Sequence, residues 1–83
     1  MFTNRSQDGN NNLCGKAVAS RRKQMGKSQR ELADALQLAG LDVDKNAVQR
    51  IEAGKRFVTD IELVYLAKVL DVSVDALLAD GNE

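Results

Sequence analysis

Residues 28–55 constrain the fold more than any other part of the chain, because they carry start and stop signals for two short helices. Ser28 and Glu31 have the spacing of a capping box, in which each residue's side chain binds the other's backbone N–H. Asp44 has the short acceptor side chain typical of a second helix start. Gly40 lies where the first of these helices would end, since glycine readily adopts the left-handed conformation that closes a helix. The stretch therefore predicts two helices joined by an elbow.

Similar signals recur on both sides of this stretch. A helix is predicted over about residues 13–25 or 16–25, and Gly26 would end it. A fourth helix is predicted from Thr59, where Glu62 completes a second capping box, and a fifth from Ser73. No strand-like alternation appears, and the chain has no proline. The sequence predicts a compact, all-α, five-helix domain.

Apolar residues just before three helix starts predict hydrophobic staples, in which such a residue packs against one in the first turn. The staple pairs are Val43 with Val48, Val58 with Leu63, and Val72 with Leu77. Spacings of three and four predict the remaining core faces. The other residues expected to face inward are Val18, Met25, Leu32, Ala35, Leu36, Ala39, Ala47, Ile51, Leu66, Ala67, Leu70 and Leu78.

Length and composition narrow the class of protein. A chain of 83 residues favours one domain, placed at residues 13–79, with a polar flexible tail at 1–12 and a short C-terminal tail at 80–83. Cys14 is the only cysteine and histidine is absent, which argues against disulfides, a metal site and the commonest general base. We expect that the protein is not an enzyme and that it binds no cofactor and no small-molecule ligand. With no membrane-spanning apolar run, we expect a cytoplasmic protein.

The formal net charge of zero conceals an asymmetric distribution. Residues 16–56 contain ten basic and five acidic residues, a net charge of +5, whereas residues 57–83 carry a net charge of −5. The positive charge of residues 16–56 suits binding to phosphate, although chance segregation of surface charge would give the same pattern.

Four motifs in order resemble the phage repressor and Cro type of helix-turn-helix, the XRE-like family. They are G-K-A-V-x3-R-x3-G-K-S-Q, E-L-A-x-x-L, V-Q-R-I-E-A-G-K-R and L-A-K-V-L-x-V-S-V-D-x-L-L, and together they cover residues 15–78. The resemblance implies a repressor-like domain whose second and third helices bind DNA. Between Leu36 and Val43 this chain has five more residues than the family pattern. Either the second helix is longer by about a turn, or the elbow is a larger loop with Leu38 or Leu41 on the core.

The polar outer face of the third helix carries the predicted base contacts, with a recognition helix at about residues 45–53. Asparagine and glutamine can bind adenine in bidentate fashion, and arginine can bind guanine. The N-terminal half of such a helix enters the major groove first. The candidates are Lys45, Asn46, Gln49 and Arg50; the alternative is an ordinary solvated face. Asp44 is expected to act as a cap rather than to read cytosine.

Phosphate contacts are predicted at both ends of the helix pair. Ser28 and Gln29 begin the second helix, where free N–H groups favour an anion, and the resemblance assigns Gln29 to a phosphate. Lys55 and Arg56 follow the third helix and would contact phosphates on the neighbouring DNA strand. The resemblance also implies a buried salt bridge between Arg22 and Glu52 with a purely structural role.

These observations predict a sequence-specific double-stranded DNA-binding protein that regulates transcription, most simply as a repressor. A homodimer is expected, because one small module contacts too little DNA for high specificity. The apolar residues of helices four and five and the C-terminal segment are the expected dimer surface. The alternative is a protein-interaction module, antitoxin-like or an adaptor, that uses the same fold.

Overall fold

The five predicted helices are present in the computed structural model, which describes residues 10–79. They are α1 (Gly15–Gln24), α2 (Gln29–Ala39), α3 (Lys45–Glu52), α4 (Asp60–Leu70) and α5 (Val74–Ala79). No strand occurs among the described residues, which confirms the all-α prediction. The predicted C-terminal tail and residues 1–9 of the N-terminal tail lie outside the described residues.

Four of the helices, α2 to α5, start with a side-chain cap at the residue that the sequence predicts. Ser28 Oγ accepts from Glu31 N at 3.0 Å, and Glu31 Oε1 accepts from Ser28 N at 2.7 Å, which completes the capping box. Thr59 and Glu62 form the same arrangement before α4. Ser73 Oγ accepts from Ala76 N before α5. Each cap satisfies N–H groups that the first turn leaves without a helical partner.

The core lies where α2 packs against α3 and α4, and α1 against α3, α4 and α5. Its fully buried side chains, apart from Cys14, are aliphatic: Val18, Leu32, Leu36, Val48, Ile51, Leu66, Leu70 and Leu77. The inner face predicted for α2 is wrong at one position. Ala39 is exposed because the helix ends there, and Ala33, one turn before Leu36, is buried instead.

The elbow between α2 and α3 combines features of both predicted alternatives. α2 extends to Ala39, and Gly40 ends it with a φ of 114°, a value that side-chain-bearing residues rarely adopt. Leu41 is half-buried against the core, and its N–H donates to Leu36 O at 2.9 Å. Leu38 is 91% exposed and does not contribute to the core. The extra residues thus lengthen the helix and anchor the elbow through Leu41.

Candidate nucleic-acid interface

The outer face of α3 presents polar side chains that the fold itself does not use. Lys45, Asn46, Gln49 and Arg50 are all exposed, whereas Val48 and Ile51 on the opposite face are buried. Within residues 10–79, none of the four exposed side chains forms a hydrogen bond that the structure records. Their donors and acceptors are therefore available to an external partner.

A shallow open cleft runs along this face and past the end of the helix. It is lined by Asn46, Gln49, Arg50, Ala53 and Lys55. The cleft brings together four predicted DNA contacts, whereas Lys45, the first residue of α3, is not among its lining residues. The small side chain of Ala53 leaves room between the amides and the lysine.

Asp44 and Ser28 act as helix caps. Asp44 Oδ1 accepts from Ala47 N at 2.8 Å, as expected for an N-cap residue. The Ser28 oxygen is similarly engaged by Glu31 N, so only its hydroxyl proton is free to meet a phosphate. The capping role expected for Asp44 is confirmed.

An ion pair on the inner side of α3 joins it to α1. Arg22 Nε donates to Glu52 Oε2 at 2.6 Å, and Nη2 donates to Oε1 at 3.0 Å, so the pair is bidentate. The two side chains are 11% and 8% exposed. Arg22 Nη1 also donates to Lys27 O at 2.8 Å, beside the start of α2. The salt bridge that the resemblance implied is thus present in the structure.

Gln29 belongs to the same cluster. Its Nε2 donates to Glu52 Oε1 at 3.0 Å, which ties the first turn of α2 to the last residue of α3. The amide is half-buried and retains a second N–H and its oxygen. Gln29 therefore occupies the helix start from which a phosphate contact was predicted, with an orientation set by Glu52.

Arg56 has an intramolecular partner that the sequence analysis missed. Its Nη1 and Nη2 donate to the two carboxylate oxygens of Glu62 at 3.1 and 3.0 Å. Glu62 is also the capping-box residue of α4, and the hydrogen bonds from Arg56 hold its pKa below the ordinary value of 4.5. A separation of six residues across a turn follows no helical periodicity, so pattern reading could not pair them. Part of the donor capacity of Arg56 is thus used within the fold, and its predicted phosphate contact stays a prediction.

Asparagines before α1 bind the backbone that follows α3. Asn11 N–H donates to Gly54 O at 2.8 Å, and Asn11 Nδ2 donates to Lys55 O at 2.9 Å. Residues 10–12 fall within the predicted tail, because residues 1–12 are rich in asparagine, serine, glutamine and glycine. Only the fold shows that these residues contact the backbone at the end of α3.

Asn12 extends this contact in two directions. Its Nδ2 donates to Arg56 O at 2.7 Å and to Ile51 O at 3.1 Å, while its Oδ1 accepts from Gly15 N at 2.9 Å. One side chain thus caps the start of α1 and binds the end of α3. A Cβ atom at Gly15 would collide with Ile51 O, so the close approach of the two helices requires glycine there.

The described residues offer no other obvious chemical site. No group of three or more potential metal-binding side chains lies together in residues 10–79. No helix in that range is long and apolar enough to cross a membrane.

Replacing Glu52 with alanine should lower the free energy of unfolding by about 2–3 kcal/mol, because Arg22 would lose its carboxylate partner in a largely buried position. Urea denaturation followed by circular dichroism measures the change. Asp34→Ala, which removes an exposed carboxylate from α2, is the control and should change stability by less than about 0.5 kcal/mol. Equal stability of the two variants would contradict a stabilising role for the ion pair.

Glu62 should make the fold sensitive to acid. Because its pKa is lowered in the folded state, its contribution is complete above about pH 4.5 and is lost as the pH falls through the folded value. We expect Glu62→Gln to lower stability by about 1 kcal/mol near neutral pH and to lose less stability than the natural chain on acidification. Urea midpoints measured across the acid range test this. Parallel pH curves for the two proteins would refute it.

Comparison with known proteins agrees with this geometry. The helix-turn-helix family profile matches residues 18–77. The structure is similar to that of the clp gene regulator ClgR from C. glutamicum, with 27% identity, a TM-score of 0.73 and 84% of each chain covered. It is also similar to the restriction-modification controller protein C.AhdI from Aeromonas hydrophila, with 28% identity, a TM-score of 0.66, and 76% of this chain and 84% of that one covered. No match was found among curated protein sequences. The chain belongs to the helix-turn-helix family of the XRE type.

Proposed function

We propose that this protein binds double-stranded DNA in a sequence-specific way and regulates transcription, with α3 as its recognition helix. One observation carries the proposal: the outer face of α3 holds unengaged amide and guanidinium groups, while its inner face is fixed to α1 and α2. A helix presented in this way suits the major groove, where such groups can bind base edges.

The proposed reading set consists of Asn46, Gln49 and Arg50, with Lys45 at the start of the helix. The two amides can each donate to and accept from adenine, and the guanidinium can donate twice to guanine. Gln49 and Asn46 are three residues apart and line the same cleft, so both can face one stretch of groove.

Phosphate contacts would come from both ends of the helix pair. At the start of α2, Gln29 has a free N–H and the helix dipole favours an anion, and Ser28 can donate its hydroxyl proton. At the other end, Lys55 is exposed and extends the cleft. These contacts would set orientation and supply most of the salt dependence, whereas the reading set would supply specificity.

The proposed regulatory role is supported by the functions named for two similar structures. ClgR is described as a gene regulator and C.AhdI as a restriction-modification controller. A DNA-binding domain acts most simply by occupying a promoter, so we propose repression without chemistry at the site. The proposal implies a protein that shares a compartment with the chromosome.

The protein is further proposed to act as a homodimer through the start of α4. Phe57, Ile61 and Val64 are 53%, 66% and 53% exposed, and the last two lie three residues apart on one face of α4. By contrast, Leu77 of α5 is buried and Leu78 is half-buried. Within residues 10–79 we therefore propose α4 and the residues just before it as the dimer surface, and most of the expected C-terminal segment lies outside the described residues. Two copies would place two recognition helices on successive turns of DNA.

Selection of bound duplexes from a random pool should recover a motif, and Gln49→Ala should lower affinity for the best duplex by about tenfold or more. The same variant should bind a mixed-sequence duplex as well as the natural chain does, because it keeps every phosphate contact. Fluorescence anisotropy measures both affinities, with Gln24→Ala on α1 as the matched amide control. Failure to enrich any motif would overturn the proposal and favour a protein-interaction module.

Replacing Ile61 with glutamate should convert a dimer into a monomer, because a charge would be buried in an apolar contact. Sedimentation equilibrium of both chains gives their masses. Leu38→Glu changes an even more exposed leucine outside the proposed surface and should leave the dimer intact. A natural chain that stays monomeric, or a dimer unaffected by Ile61→Glu, would exclude this surface.

A further inference from the structure

We propose that Asn11 and Asn12 are positioning residues for Lys55, so that the segment before α1 helps to set a phosphate contact at the end of the recognition helix. The inference rests on the proposed function, because it concerns how that interface is built. Its carrying observation is that three successive carbonyls, those of residues 54, 55 and 56, all accept hydrogen bonds from these two asparagines.

The backbone around Lys55 would otherwise have little to hold it. α3 ends at Glu52, and Gly54 adopts a φ of 76°, so Lys55 already lies beyond the helical hydrogen-bond ladder. Its own N–H donates to Arg50 O at 2.9 Å, which closes the helix end but leaves the following carbonyls free. Asn11 and Asn12 supply donors to those carbonyls from a distant part of the chain.

The close packing of this contact supports a positioning role. Gly54 is buried, and a Cβ atom placed there would lie 2.7 Å from the side chain of Asn10. Asn12 meanwhile ties the same region to Gly15 at the start of α1. The Lys55 backbone is therefore bound to the body of the domain rather than left as a free loop.

Lys55 is the residue whose function depends on this support. Its side chain is exposed, lines the cleft with Asn46, Gln49 and Arg50, and makes no recorded ion pair within the described residues. Its neighbour Arg56 is already engaged by Glu62. Among the described residues, Lys55 is thus the cation of this loop that has no recorded ion-pair partner. Fixing its backbone reduces the conformational entropy lost when the ammonium group meets DNA.

Asn11→Ala separates positioning from folding. The bond from Asn11 Nδ2 to Lys55 O is solvent-exposed, and the buried Asn11 Oδ1 has no donor among residues 10–79. Alanine therefore removes one good bond together with an acceptor that these residues leave unsatisfied. The backbone bond from Asn11 N–H to Gly54 O can persist. We expect the melting temperature to change little while the Lys55 backbone is loosened.

The test is a double-mutant cycle in DNA binding with the full chain. The affinities of the natural chain, Asn11→Ala, Lys55→Ala and the double variant are measured on a mixed-sequence duplex and on the best selected duplex, over a range of salt concentrations. We expect Asn11→Ala to weaken binding about threefold to fivefold at low salt, the effect of losing roughly one ordinary hydrogen bond. The salt slope should fall toward that of Lys55→Ala, which loses about 0.9 for one phosphate contact.

In the cycle, adding Asn11→Ala to Lys55→Ala should cost no further affinity. A purely structural role for Asn11 would lower the melting temperature and leave the salt slope unchanged. Additive losses, or Asn11→Ala binding identical to that of the natural chain, would overturn the inference, as would a Lys55→Ala variant that binds normally. Gln24→Ala serves as the matched control and should bind like the natural chain.

Asn12→Ala gives a second, stronger perturbation. It removes donors to Arg56 O and Ile51 O as well as the cap on Gly15, so we expect it to lose both stability and affinity. If Asn12→Ala fails to fold, Asn11→Ala alone still decides the question. A natural chain that binds neither duplex would refute the proposed function itself, whereas a natural chain that binds through Lys55 but ignores Asn11 would refute only the inference.

Discussion

The carboxylate of Glu52 fixes the geometry on which the rest of the domain depends. It is the last residue of α3, and it accepts hydrogen bonds from Arg22 of α1 and Gln29 of α2. Three helices therefore meet at one largely buried anion, and each donor has a defined direction. Apolar burial is non-directional, so by itself it fixes the rotation of α3 less closely than directed hydrogen bonds do. A bidentate pair with a third donor restricts that motion, because any shift breaks a charge-assisted bond in a poorly solvated place.

The two ends of α3 are held in different ways, and the difference follows from the chain around them. At the start, Gln37 Nε2 donates to Val43 O at 2.6 Å, so the lengthened α2 reaches forward and binds the elbow directly. The end of α3 is held by the hydrogen bonds that Glu52 accepts and by those that Asn11 and Asn12 donate. A longer elbow would ordinarily bring freedom to the helix that follows it. Here the additional turn of α2 supplies Gln37, whose hydrogen bond to Val43 restricts the motion of α3. Leu41 anchors the rest of the elbow to the core.

Features encoded within a few residues could be predicted from the sequence, and those that depend on distant partners could not. The capping boxes at Ser28 and Thr59 and the cap at Asp44 are local chemistry, and they form where the pattern indicates. The pairing of Arg22 with Glu52 came from family resemblance, since no spacing rule joins residues thirty positions apart. The side-chain hydrogen bonds from Asn11 and Asn12 to the end of α3 join residues 39 to 44 positions apart in sequence. Their amides resemble any polar tail until α1 and α3 are packed together.

The outward and inward faces of α3 carry different sets of side chains, and this separation affects how the proposed DNA specificity could change. Asn46, Gln49 and Arg50 project outward and form no recorded hydrogen bond within the described residues, so the fold does not depend on their identity. The side chains that secure the helix, among them Val48, Ile51 and Glu52, lie on its other side. Under the proposed function, substitutions at the outward positions would alter which base edges are favoured at almost no cost to stability. In that role the rest of the domain would hold α3 in place while its outward side chains vary, so specificity could diverge or be redesigned one outward residue at a time.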